Sequence, residues 1–64
     1  MSFEKKWVSE QIVEKTTGIK RQTLRNHRHK GCGIPYSKFG RNVRYLLSDV
    51  HDFMERHRIN TKEL

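Results

Sequence analysis

Ser9 to His29 reads SEQIVEKTTGIKRQTLRNHRH, and this stretch decides the fold. Ser9 is a good N-cap, because its hydroxyl can accept from the unpaired N–H groups of a helix that begins at Glu10. Glu10 suits the positive end of that helix. Ile12, Val13 and Thr16 share one face by helical spacing. Gly18 ends the helix, since glycine takes the left-handed backbone of a C-cap without a steric penalty. Ile19 is expected to point inward. A second helix is expected over about residues 20–29, with Leu24 as its only strong apolar residue. At about 100° per residue, Lys20, His27 and Arg28 lie on the Leu24 side. Gln22, Arg25, Asn26 and His29 lie opposite, with Thr23 at the edge. A helix with so little apolar surface needs tertiary support or a ligand to persist.

Downstream, Gly31 and Gly33 flank Cys32 and end this helix. Pro35 biases Ile34 away from helix, so Ile34-Pro35-Tyr36 reads as extended. A hairpin is expected over residues 36–46. Tyr36 to Phe39 forms one arm, Gly40-Arg41-Asn42 the turn, and Val43 to Leu46 the other arm. Val43 and Tyr45 share a face, and Arg44 points the other way. The turn lacks an Asn-Gly pair, which leaves its type open. Tyr36 and Phe39 are expected to cap a small core rather than stack on bases. Ser48 is expected to cap a third helix with Asp49 and Asp52 in its first turn. Val50, Phe53, Met54 and His57 form its inner face, and it ends near Arg58. Residues 1–6 are expected to be loose, although Phe3 is able to pack, and residues 59–64 form a frayed tail. The domain then covers residues 7–58. The expected fold class is mainly α with one small β-hairpin.

Charge separates along the chain. Residues 1–19 balance to zero, residues 20–45 carry +8 with no acid, and residues 46–64 sum to −1, for a net +7. The whole excess therefore sits between Glu14 and Asp49, on Lys20, Arg21, Arg25, Arg28, Lys30, Lys38, Arg41 and Arg44, with only Lys15 of the basic residues in that interval outside the 20–45 count. A one-sided field of this kind works against compaction and suits a polyanionic partner.

Several other classes are disfavoured. The single cysteine, Cys32, permits no internal disulfide and fits a reducing compartment. No apolar run approaches a membrane span, and no signal-peptide core follows Met1. A cytoplasmic, bacterial or phage-encoded protein is expected. His27, His29 and Cys32 are close in sequence, but no second ligand pair follows them, so no metal is expected. A chain of 64 residues leaves little room for a catalytic pocket, and no triad or phosphate-cradling glycine loop is present, so no enzyme activity and no cofactor are expected. The basic segment is not one long amphipathic helix, which argues against a membrane surface.

Two short helices joined by a turn containing Gly18 are what a DNA-binding helix-turn-helix requires. One helix braces, and the second lays its outer side chains along base edges. Arg25 suits guanine, and Gln22 or Asn26 suits adenine. Lys20, Arg21, Thr23 and Arg28 suit phosphates, which set register rather than read sequence. His29 completes the outward face. In the hairpin, Lys38, Arg41, Asn42 and Arg44 are placed to reach flanking phosphates or a narrow minor groove.

Residues 7–58 resemble the winged helix-turn-helix group that includes the phage excisionases, the AlpA-type regulators and the DNA-binding part of MerR regulators. The likeness runs through Trp7-Val8-Ser9, Ile12-Val13, Thr17-Gly18-Ile19, Gln22-Thr23-Leu24-Arg25 and Gly31. It continues in Phe39-Gly40-Arg41-Asn42-Val43-Arg44-Tyr45 and Ser48-Asp49-Val50-His51-Asp52-Phe53. Lys20 departs from the serine cap common in the group, and Cys32-Gly33 lengthens the link to the hairpin. The resemblance implies a recognition helix around Arg21 to Arg28 in the major groove and a wing around Arg41. It also implies a recombination directionality factor or a transcriptional regulator of a mobile element, with a recombinase or integrase, or the transcription machinery, as partner. Copies bound side by side along double-stranded DNA are a further expectation. A DNA-recognition role in phage packaging, or a module that binds RNA or protein, is the alternative.

Overall fold

The structure is a computed structural model and describes residues 6–59. Apart from Lys6 and Ile59, the ends expected to be loose, Phe3 included, lie outside the described residues. The elements run β1 (Trp7–Val8), α1 (Glu10–Thr17), α2 (Arg21–Lys30), β2 (Ser37–Phe39), β3 (Asn42–Leu46) and α3 (Leu47–Arg56).

Helix α1 begins as its sequence dictates. The Ser9 hydroxyl accepts from the Ile12 N–H at 3.4 Å, and Gly18 closes the helix at φ 80°, its N–H bonded to Glu14 O. Thr17 then secures the turn into α2. Its hydroxyl donates to Val13 O at 2.8 Å and accepts from Ile19 N–H at 3.0 Å, which aims Ile19 at the core. The inner face of α1 differs from the expected one. Val13 is fully buried and Thr17 half-buried, whereas Ile12 and Thr16 are exposed. The face turns by one residue because Thr17, not Thr16, is fastened to the interhelical turn.

Helix α2 has Lys20 at its N-cap with no side-chain hydrogen bond, and Gly31 in the left-handed region at its end. Leu24 is its one buried residue, as expected from its composition. Full burial of such a side chain contributes about 1.5–3 kcal/mol, so one leucine anchors the whole helix. Past the helix, Gly33 (φ 88°) lies so close to His27 that a Cβ there would stand 2.8 Å from the His27 Cβ. Only glycine fits that crossing, and it delivers buried Ile34 to the core.

The hairpin forms with Gly40 and Arg41 as a two-residue turn, one residue shorter than expected, because Asn42 already pairs with Phe39. The expected hairpin is also only part of the sheet. Trp7 pairs with Leu46 and Val8 with Tyr45, which gives an antiparallel sheet in the order β1-β3-β2. Strand β3 alternates as expected, with Tyr45 buried, Val43 packed against the core and Arg44 exposed.

Strand β3 passes directly into α3. The helix starts at Leu47, before the expected cap Ser48, and Leu46 is the N-cap residue with no side-chain cap. The Leu47 N–H donates to Lys6 O at 2.8 Å, so the chain leading into β1 satisfies the first unpaired backbone donor of the helix. The buried face of α3 also differs from the expected one. Val50 is buried, Leu47 and Phe53 pack beside it, and Met54 and His57 are exposed rather than inward. His57 stacks on Phe53 with ring centroids 4.2 Å apart. The core where these elements meet is Val8, Val13, Leu24, Ile34, Tyr45 and Val50. Three helices with a hairpin projecting between the second and third make a winged helix-turn-helix.

Candidate nucleic-acid interface

Helix α2 lies against α1 and turns its other side outward. Lys20, Arg21, Gln22, Thr23, Arg25, Asn26 and His29 are all exposed. Gln22 Nε2 donates to Asn26 Oδ1 at 3.4 Å, so these two amides support one another one helical turn apart. Arg28 stands apart from this set, its side chain only 16% exposed. Its Nη1 donates to the Tyr45 hydroxyl at 2.6 Å and to Glu10 Oε1 at 3.3 Å, and its guanidinium lies 5.7 Å from the centroid of the Tyr36 ring. Arg28 thus ties α2 to α1, to β3 and to the segment before β2.

The arginines of α2 meet an acidic edge of α1. Arg21 Nε donates to Glu14 Oε1 at 2.8 Å, and Arg25 Nη2 to Glu10 Oε2 at 3.1 Å. Both arginine side chains remain about half exposed, so each pair contributes at most about 1 kcal/mol. Burial pushes the Glu10 carboxyl upward. The hydrogen bond and charge of Arg25, followed by those of Arg28, outweigh that and hold it below its ordinary value. For Arg28, burial acts to lower the value, and the bond to Tyr45 and the charge of Glu10 reverse the sign.

From the sequence alone, Glu10 suits only the helix dipole, Glu14 has no assigned role, and Tyr45 shares the hairpin face of Val43. A signal for this network was present. Glu10 and Glu14 lie four apart on one helix, and Arg21, Arg25 and Arg28 lie four and three apart on the next. Each set makes a stripe on its own helix, and the Gly18 turn brings the stripes face to face.

The wing stands beside α2. Lys38, Arg41, Asn42 and Arg44 are exposed, and among the described residues no ion-pair partner reaches Lys38 or Arg41. Arg44 Nη1 donates to Val43 O at 2.8 Å. Lys38 pairs with Val43 across the strands, so it shares the sheet face turned toward α2. Phe39 pairs with Asn42 on the opposite face and is 84% exposed. It therefore does not cap the core as expected, because strand alternation turns it away from Val43 and Tyr45. Tyr36 is partly exposed and meets Tyr45 at a centroid distance of 6.2 Å.

Two grooves separate α2 from the wing. Arg25, Arg28, Arg41 and Val43 border both. Arg21, Arg44 and the N-terminal end of α1 complete one, and His29, Tyr36 and Lys38 the other. Basic residues of α2 and the wing, drawn from the acid-free segment 20–45, thus border shared grooves with a helix on one side and a hairpin on the other.

His27, His29 and Cys32 form no metal cluster, and among the described residues no three His, Cys, Asp or Glu side chains gather in a way that would hold an ion. No helix among the described residues is long and apolar enough to cross a membrane. A family model described as "Helix-turn-helix domain" matches residues 13–58. No curated protein and no solved structure matches the chain.

Proposed function

The chain belongs to the helix-turn-helix domain family of DNA-binding proteins, and on that footing we propose that it binds double-stranded DNA in a sequence-specific way. Helix α2 enters the major groove, and the wing lies on the flanking backbone or minor groove. The observation that carries this reading is the joint basic surface of α2 and the wing, with Arg25, Arg28 and Arg41 bordering both grooves between them. Arg25 is suited to the N7 and O6 acceptors of guanine, and Gln22 and Asn26 to adenine. Lys20, Arg21 and Thr23 stand at the N-terminal end of α2, where free N–H groups and the helix dipole favour phosphate. Lys38, Arg41, Asn42 and Arg44 supply grip on the backbone, and His29 borders the groove on the Tyr36 side.

One such domain reads few base pairs, so useful specificity calls for copies side by side along the DNA or for a partner protein. Together with the resemblance to excisionases and AlpA-type regulators, this favours a recombination directionality factor or a transcriptional regulator of a mobile element, acting with a recombinase or with the transcription machinery. Footprinting across the protein's own genomic neighbourhood tests this. A protected site, repeated at helical spacing, is the expected result. In gel-shift competition that duplex should displace the protein from single strands and RNA. The reverse order would replace the reading with an RNA or single-strand binder.

A further inference from the structure

Glu10 is an acid set into a basic surface. It lines the groove between α2 and the wing together with Arg21, Arg25, Arg28, Arg41 and Arg44. One carboxylate oxygen lies 3.1 Å from Arg25 Nη2 and the other 3.3 Å from Arg28 Nη1. A negative charge here weakens attraction for any polyanion, so its placement needs a reason. Stability is a weak one. Ion pairs partly open to water contribute little to folding, and Arg28 also has a shorter bond, 2.6 Å, to the Tyr45 hydroxyl.

We propose that Glu10 is a specificity determinant, which engages Arg25 so that its guanidinium serves a base edge in preference to the nearest phosphate, a role that holds only if α2 reads base edges. Arg25 is the only one of its two partners that faces outward. A guanidinium has five N–H donors. One Nη2 hydrogen goes to Glu10, and the remaining donors are left for the two neutral acceptors of a guanine edge. A phosphate that approaches Arg25 must sit beside the Glu10 carboxylate or displace it, and like charges at that distance repel. A guanine edge carries no net charge and escapes most of that repulsion. Glu10 therefore disfavours contact with random backbone more than contact with the correct base. Discrimination of this kind comes from disfavouring the wrong partner as well as favouring the right one. The arginines around Glu10 keep it ionised at neutral pH, so the repulsion persists under ordinary conditions.

Glu10→Gln removes the charge and keeps the shape. Its affinity for the footprinted duplex and for a random-sequence duplex, measured against salt, tests the role. Binding to random duplex should tighten about three- to tenfold near 0.1 M salt. Its salt slope should steepen by about 0.9, the value of one further phosphate neutralised. Binding to the footprinted duplex should stay level or weaken, so the ratio of the two falls. A parallel weakening on both duplexes with a lower melting temperature would leave Glu10 as a structural residue and overturn the proposal.

The same substitution in an Arg25→Ala background should leave the ratio unmoved. An undiminished gain on random duplex in that background would mean a general field effect, and would also overturn it. The underlying reading fails separately. A wild-type protein with no preference for any duplex site removes the base-reading role of α2 and this proposal with it. A wild-type preference that Glu10→Gln leaves intact removes this proposal alone.

Discussion

Helix α2 and the wing carry the same sign of charge and hold it in opposite ways. The three arginines of α2 all have partners from other elements. Arg21 meets Glu14, Arg25 meets Glu10, and Arg28 meets both Glu10 and Tyr45. In the wing, Lys38 and Arg41 meet no acid among the described residues, and Arg44 bonds only its own strand's backbone at Val43. The difference matters for what each region can do. A side chain held at a known angle can discriminate between neighbouring groups, at the cost of part of its charge. A side chain free in water can follow a phosphate wherever the backbone runs, and discriminates little. The two regions are thus suited to reading and gripping respectively, although both are basic.

The sharpest way to break the comparison is at the anchor of α2. Leu24→Ala should cost about 2–5 kcal/mol, because the helix has no other buried residue to hold it. Chemical denaturation would measure this. A loss well under 1 kcal/mol would mean that the ion pairs, not the leucine, keep α2 in place. Next, Arg25→Ala should cost about 1–3 kcal/mol on the footprinted site and relax preference at one base pair. Arg41→Ala should weaken binding to every duplex alike, with a salt slope shallower by about 0.9. If the two variants behaved the same in a base-substitution series, the division between reading and gripping would be lost.

Acid tests the held side of the comparison. Glu10 titrates below its ordinary value of 4.5 in the folded protein. Its contribution to folding is therefore complete above that value, and is lost as pH falls through the lower folded-state value. Below about pH 4.5 the wild type should lose stability more steeply than Glu10→Gln does, read from urea unfolding at a series of pH values. Identical pH profiles would show that the pair with Arg25 and Arg28 stores no folding energy. The smallest effect is expected at the wing. Phe39→Ala should change stability by no more than about 0.5 kcal/mol, because the ring touches little of the core. A larger loss of melting temperature would return Phe39 to the core.

Much of this fold is legible in the chain. Ser9 and Gly18 mark the ends of α1, and Leu24 alone among apolar residues orients α2. The alternation of Val43, Arg44 and Tyr45 gives the facing of β3. Strand β1 is not legible, because two residues, Trp7 and Val8, are too few to show a period. The start of α3 misleads for a related reason. Ser48 has the local propensity of a cap, but Lys6, distant in sequence, supplies the acceptor for Leu47 and the helix begins earlier. Phe39 misleads because an aromatic residue beside a small core reads as packing, whereas its pairing with Asn42 turns it outward. The exposed face of Gln22, Arg25, Asn26 and His29 emerges from helical spacing alone. The fate of Arg28 does not, since its partners come from α1 and β3.

By itself, then, the amino-acid order determined the partition of charge, the two helices around Gly18, the outward face of α2 and the alternation of the wing. Those are local properties, governed by backbone period and by the residue types that start and stop a helix. Only the tertiary structure decided which basic residues are held and which are free. It brought Glu10 against Arg25 and Arg28, set Tyr45 beside Arg28 and, among the described residues, left Lys38 and Arg41 without an acid in reach. An ion pair between elements depends on how closely and at what angle those elements cross, and no spacing along a single chain specifies that.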